Sequence, residues 1–73
     1  MSEEINWQST YNAAMDSVNL LNAGKPAGDS DEDWADTVQR NVDHLKLQVE
    51  KEWPAEYDLA PFNAAIEIGR AHV

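Results

Sequence analysis

Closely spaced carboxylates in the first half of the chain are the first candidates for a chemical role. Asp29, Asp31 and Asp33 repeat the alternate spacing of the first three ligands in a calcium-binding loop. The pattern then fails, because Trp34 stands where that loop needs a glycine and Arg40 where it needs a bidentate glutamate. We therefore expect no calcium loop and interpret the segment as an acidic cluster, with weak binding of divalent cations as the alternative.

Histidine and cysteine offer no clearer metal site. His44 and His72 are the only histidines, and neither has a second histidine or a carboxylate at a persuasive metal-binding spacing. We interpret His44 as an exposed helix residue and His72 as part of a tail. The absence of cysteine excludes disulfides, thiolate zinc sites and a cysteine nucleophile. The sequence therefore predicts no metal and no cofactor.

Catalytic motifs are missing as well. No serine lies in a nucleophile elbow, and the glycines form no phosphate-binding loop. General acid–base catalysis by two carboxylates needs a cleft that excludes water. A chain of 73 residues supports one modest core, since a domain of this size buries only about 60% of its unfolded surface. We expect a protein that is not an enzyme.

The sequence predicts that these residues lie on or between helices. Residues 6–23 are predicted to form the first helix, with Asn6 as its N-cap and Gly24 ending it in a left-handed conformation. The alternative is a later start capped by Ser9 or Thr10. Residues 24–30 are predicted to form a loop, because Pro26 and Gly28 favour turns. The apolar face of the first helix has steps of three and four residues and consists of Trp7, Tyr11, Ala14, Val18 and Leu21.

A second helix is predicted over residues 31–52. Ser30 followed by Asp33 gives a capping-box pattern at its start, and Trp53 before Pro54 disfavours its continuation. The apolar face of this helix consists of Trp34, Val38, Val42, Leu45 and Val49.

A third, shorter helix is predicted over residues 59–69. Asp58 is suited to cap it, and Pro61 is suited to its first turn. No segment sustains the alternation of apolar and polar residues that is typical of a strand. The sequence therefore predicts one all-α domain over residues 1–73, built from three helices of which the third is short.

The charge balance limits the class of partner. The chain has 14 Asp and Glu against five Lys and Arg, for a net charge of −9, and the excess is densest over residues 29–36. Binding to nucleic acid or to an anionic membrane needs clustered basic residues, so neither is expected. The sequence has no apolar run that could span a bilayer and no secretory signal, so we expect a cytoplasmic protein.

The acidic cluster is the candidate surface for a basic protein partner. The alternative is that it only keeps a small domain soluble. Trp34 lies inside the cluster and is interpreted either as a core residue or as a partly exposed anchor for the partner. Trp53 and Tyr57 form a second aromatic patch that could be exposed. The predicted protein-binding residues are Asp29, Asp31, Glu32, Asp33, Trp34 and Asp36.

The C-terminal half of the sequence resembles phage proteins. Residues 36–46, followed by Trp53 and by residues 58–62 and 64–66, look like a segment that recurs in uncharacterised bacteriophage proteins. In length, acidity and lack of catalytic motifs, the chain is also similar to a small transcription regulator made by a lytic phage of Xanthomonas. That resemblance implies a protein that binds the N-terminal region of the β′ subunit of host RNA polymerase. Such a protein would displace σ from host promoters and promote antitermination. The resemblance assigns no binding residue in this sequence.

Two other functions fit the same residues. Carboxylates spaced like phosphates could mimic DNA and inhibit a host nuclease or DNA-binding protein, although residues 37–53 have no net charge. A small phage structural or assembly protein is the other alternative. For a regulator that binds host RNA polymerase we expect a monomer.

Overall fold

A computed structural model describes residues 6–71, and this part of the chain forms three α-helices. Helix α1 spans Trp7–Ala23, α2 spans Asp31–Val49 and α3 spans Ala60–Arg70, and the described range contains no strand. The predicted all-α fold with a short third helix is confirmed. No helix within residues 6–71 combines the length and the apolar character that crossing a membrane requires.

Helix α1 begins where the capping residue predicts. The Asn6 side-chain Oδ1 accepts a hydrogen bond from the Ser9 backbone N–H at 3.1 Å. At the other end Gly24 has φ 83° and ψ −176°, and its N–H donates to the Leu20 carbonyl at 3.3 Å. The predicted positive φ is confirmed, but the residue is extended rather than left-handed helical. That region of backbone space is accessible almost only to glycine.

Helix α2 starts as predicted and ends early. Its predicted end at residue 52 is wrong, because the Gln48 carbonyl, which would accept the Glu52 N–H in a longer helix, has other donors. It accepts the Lys51 N–H at 3.1 Å and the Trp53 indole Nε1–H at 2.6 Å. The helix therefore stops at Val49.

Helix α3 is displaced by one residue from the predicted 59–69. Leu59 is its N-cap residue and makes no side-chain cap, while the Asp58 Oδ1 accepts the Ala60 N–H at 3.0 Å. Asp58 thus satisfies one free N–H of the first turn of α3, from the position before the N-cap residue. Pro61 lies in that first turn, as predicted.

The three helices run up, down and up around one core. Trp53, just after α2, has its ring centroid 4.8 Å from that of Trp7 at the start of α1 and 5.8 Å from that of Phe62 at the start of α3. Gly69 at the end of α3 lies against Val38 and Val42 in the middle of α2. Successive helices are therefore antiparallel. The buried apolar residues are Ala14, Val18, Leu21, Trp34, Val38, Val42, Leu45, Phe62, Ala65 and Ile66.

Polar residues enter this core where the apolar pattern did not indicate them. Ser17 and Gln48 are buried, and the Gln48 Oε1 accepts no hydrogen bond from the described residues. The prediction that His44 is exposed is wrong, since it is half-buried with its Nδ1 3.5 Å from the Ser17 Oγ across the α1–α2 contact. His72 lies outside the described residues.

Candidate functional site

The acidic surface lies at the end of the molecule where the loop after α1 leads into α2. Asp31 pairs with Lys25, with its Oδ1 2.8 Å from the Lys25 Nζ, and Asp36 pairs with Arg40 at 3.2 Å. Both pairs are largely exposed and contribute little to stability. We define the acidic surface by Asp29, Asp31, Glu32, Asp33 and Asp36, of which Asp29 is half-buried and the others are exposed.

Helix geometry explains why this end tolerates so many carboxylates. Asp31, Glu32 and Asp33 occupy the first turn of α2, where the helix dipole favours negative charge. The Ser30 Oγ also accepts the Asp33 N–H at 3.1 Å, which satisfies one of the free donors of the first turn. The acidic residues therefore help to fix the start of the helix as well as exposing charge.

Lys25 changes the titration of one member of this surface. A side-chain hydrogen bond from Lys25, and then its positive charge, hold the pKa of Asp31 below the ordinary value of 3.8. A carboxyl with a lowered pKa in the folded state stabilises the fold above its ordinary pKa. That contribution is lost as the pH falls through the lowered pKa. Because Asp31 is fully exposed, solvent keeps the effect small.

The same geometry keeps the carboxylates apart as ligands. Residues one or two positions apart on a helix do not face each other, so Asp31 and Asp33 diverge. Within the described part of the chain, no group of three or more His, Cys, Asp or Glu side chains is placed to hold a metal ion.

Trp34 belongs to the core. Its side chain is 4% exposed and packs with the buried residues of all three helices. The core interpretation is confirmed, and the alternative of a partly exposed anchor is wrong. The reason is its place on the apolar face of α2, one position beyond the acidic first turn.

A second surface lies at the opposite end of α2, which at 19 residues is about 28 Å long. Trp53 and Tyr57 are half-buried there. Their ring centroids are 5.5 Å apart, and Trp53 lies 4.8 Å from Trp7. We define the aromatic cluster by Trp7, Tyr11, Trp53, Tyr57 and Phe62.

One side of the aromatic cluster borders a surface depression of about 310 Å³. The Tyr11 hydroxyl donates to the Asp58 carbonyl at 3.0 Å, and the Tyr57 N–H donates to the Pro54 carbonyl at 3.1 Å. The first bond holds the segment between α2 and α3 against α1, and the second closes a turn within that segment. We call this depression the aromatic cleft, and it is lined by Gln8, Tyr11, Glu56, Tyr57 and Asp58.

Sequence reasoning indicated one part of the cleft and missed the rest. Tyr57 was expected near an exposed patch with Trp53. Tyr11 was assigned to the apolar face of α1, and Gln8, Glu56 and Asp58 were not assigned to any binding surface. A contact between positions 11 and 58 leaves no local pattern in the sequence; the Trp53-Pro54 pair indicated only that the second helix does not continue through this segment.

Comparison with known proteins adds no relative. The chain matches no protein-family model, no curated protein and no solved structure. The two surfaces themselves therefore carry what can be proposed about function, and the resemblance to phage regulators stays a prediction.

Proposed function

We propose that the chain is a phage-encoded protein that binds host RNA polymerase through protein–protein contact and inhibits initiation by displacing σ. It acts in the cytoplasm of the host, as a monomer, by binding rather than by catalysis. The observation that carries the proposal is the acidic surface. Glu32 and Asp33 are exposed and pair with no basic residue of the described range, in a chain of net charge −9.

Electrostatics gives this surface a physical route to its partner. A nucleic-acid enzyme carries basic surfaces, and an opposed acidic surface accelerates encounter and orients the complex. A standard interface takes about 800 Å² from each partner, which is a modest part of the 5040 Å² accessible surface of this chain. The protein is therefore large enough to compete with σ for its contact surface on the polymerase. Binding near the N-terminal region of β′ would also allow it to promote antitermination.

The first test is capture of purified core RNA polymerase and holoenzyme on the immobilised full chain. We expect both to bind, with σ released from the holoenzyme. The variant D31N/E32Q/D33N should bind several-fold more weakly and show a shallower dependence on salt, because three charges of the interface are gone.

The matched control is D16N/D43N/E50Q, which removes the same charge from exposed positions on α1, on α2 and just after α2. Equal weakening in both variants would show that only net charge matters and would contradict the assignment to the acidic surface. Circular dichroism of both variants checks that the helices persist. Failure to capture polymerase would contradict the proposed partner. A nuclease that is retained on the chain and displaced by DNA would then favour the DNA-mimic function. A molecular mass of the chain that increases with its concentration would favour the structural function.

A further inference from the structure

We propose that the aromatic cleft is a socket for an arginine side chain of the protein partner. This deepens the proposed function, on which it rests for the statement that the partner is a protein with a basic surface. The cleft brings together the two features that bind a guanidinium group, namely aromatic rings and carboxylates. It belongs to a different end of the molecule from the acidic surface, so it would give the complex a second point of contact.

The aromatic part of the socket is preformed. The Tyr11 and Tyr57 ring centroids are 5.3 Å apart with an interplanar angle of 40°, and Tyr11 also contacts Trp53 edge-on at 5.9 Å. Rings this close leave no room for a guanidinium between them. An arginine head would therefore lie over the tyrosine rings, where the ring quadrupole attracts a cation. Because Tyr11 is held by its bond to Asp58, little side-chain freedom is lost on binding.

The carboxylates of the cleft are available to a cation from outside. Glu56 and Asp58 are exposed, and neither forms an ion pair with a basic residue among residues 6–71. One Asp58 oxygen accepts the Ala60 N–H, which leaves its other oxygen and both oxygens of Glu56 for donors on a ligand.

A second depression shows the same combination with its cation supplied from within the chain. At the acidic surface, Trp34 and Asp31 line a depression of about 260 Å³ together with Lys25, and the Lys25 Nζ lies 2.8 Å from the Asp31 Oδ1. The aromatic cleft has the carboxylates and the rings but no basic side chain in its lining. The missing component is a cation from another molecule.

Arginine suits the cleft better than lysine. Its guanidinium is planar, stacks on aromatic rings and presents several donors in a fixed arrangement, whereas the lysine ammonium is a compact and strongly hydrated charge. The rings and the two carboxylates offer partners for both the face and the edge of a guanidinium.

The test is an NMR titration of the isotopically labelled full chain with the blocked peptide Ac-Gly-Arg-Gly-NH2. We expect saturable shifts in the backbone amides of Gln8, Tyr11, Glu56 and Tyr57. The same peptide with citrulline, which keeps the shape and loses the charge, should produce no saturable shift. The lysine peptide should bind more weakly. Glu56→Gln should weaken arginine binding by about threefold to fivefold, as expected for one exposed ion pair.

Glu32→Gln is the matched control, because it makes the same change on the acidic surface and should leave the affinity of the peptide unchanged. Equal shifts at both ends of the molecule, equal binding of the citrulline peptide, or no saturation would overturn the proposal. The result is independent of polymerase capture. A chain that binds the arginine peptide but captures no polymerase would retain the socket and lose the proposed partner, and the reverse result would lose the socket alone.

Discussion

At Gly69 the backbone of α3 comes close to α2. A Cβ atom at this position would overlap the Val42 Cγ2 and would contact the Val38 Cγ1 at 3.4 Å. Val42 is itself buried in the core and has little room to move. Glycine at position 69 thus allows a close approach of two helices, at some cost in helix propensity.

Gly69→Ala tests this contact. Alanine would favour the helix by about 1 kcal/mol, but overpacking costs about 1–3 kcal/mol, and a clash with buried valine places the change toward the upper part of that range. We expect a net loss in the free energy of unfolding, measured by urea denaturation. The double variant G69A/V42A should lose less stability than the sum of the two single variants, because Val42→Ala removes the clashing methyl group, and this difference is the coupling energy.

Gly28→Ala is the control for this prediction. Gly28 lies in the loop with open space around its Cα and without positive φ, so alanine there should be neutral or slightly stabilising. A G69A protein as stable as the original chain would contradict the close contact.

Single residues also show where sequence reasoning stops. Trp34 follows the helical period and its core interpretation was available from the sequence. His44 and Gln48 were not identified as half-buried and buried, because their environment depends on how the helices pack. His44 approaches Ser17 on α1, whereas Gln48 is buried although its side-chain Oε1 accepts no hydrogen bond from the described residues. A polar residue gains a partner through tertiary contact, which spacing along one helix does not encode.

At the scale of elements, helix starts were easier to predict than helix ends. Asn6 and Ser30 each accept a backbone N–H three residues later, which is a local signal that the sequence displays. The end of α2 is set by competition for the Gln48 carbonyl. The approach of the indole of Trp53 to that carbonyl is decided by the fold, so the predicted boundary was three residues too late.

Ser30→Ala tests the cap of α2. Removing the Oγ leaves the Asp33 N–H without its acceptor and should lower the free energy of unfolding by about 1 kcal/mol. Thermal unfolding followed by circular dichroism measures it. Ser30→Asn should restore most of the loss, because asparagine is an equally good cap.

Ser9→Ala provides the comparison for this cap. Ser9 is exposed inside α1 and uses only its backbone N–H in the Asn6 cap, so alanine there should not destabilise the protein. Equal losses at both positions would mean that the Ser30 side chain has no specific capping role.

For the molecule as a whole, the dominant property is uncompensated negative charge. The described residues contain three ion pairs, all at the surface of the molecule, while the chain has nine more acidic than basic residues. Repulsion among the remaining carboxylates opposes the compact state. The net charge was fully available from the sequence; the separation of acidic surface and aromatic cleft to opposite ends required the fold.

Raising the salt concentration should therefore stabilise the protein. Between about 10 mM and about 150 mM salt the Debye length falls from about 30 Å to about 8 Å, so that repulsion between carboxylates on different helices is screened. We expect the Tm measured by calorimetry to rise over this range. The variant D31N/E32Q/D33N should show a smaller rise, and a Tm that falls with salt in the original chain would contradict the dominance of repulsion.

The bond from the Tyr11 hydroxyl to the Asp58 carbonyl joins positions 47 residues apart, and it has a consequence for the lifetime of the protein. The aromatic cleft exists only while the segment before α3 is docked on α1, so a ligand that occupies it binds the native state and not the unfolded chain. A free ligand concentration of about a hundred times Kd would stabilise the native state by about 2.7 kcal/mol. Protein molecules with an empty cleft would unfold more often and would be degraded sooner by cellular proteases. The abundance of the protein would then follow the supply of its partner.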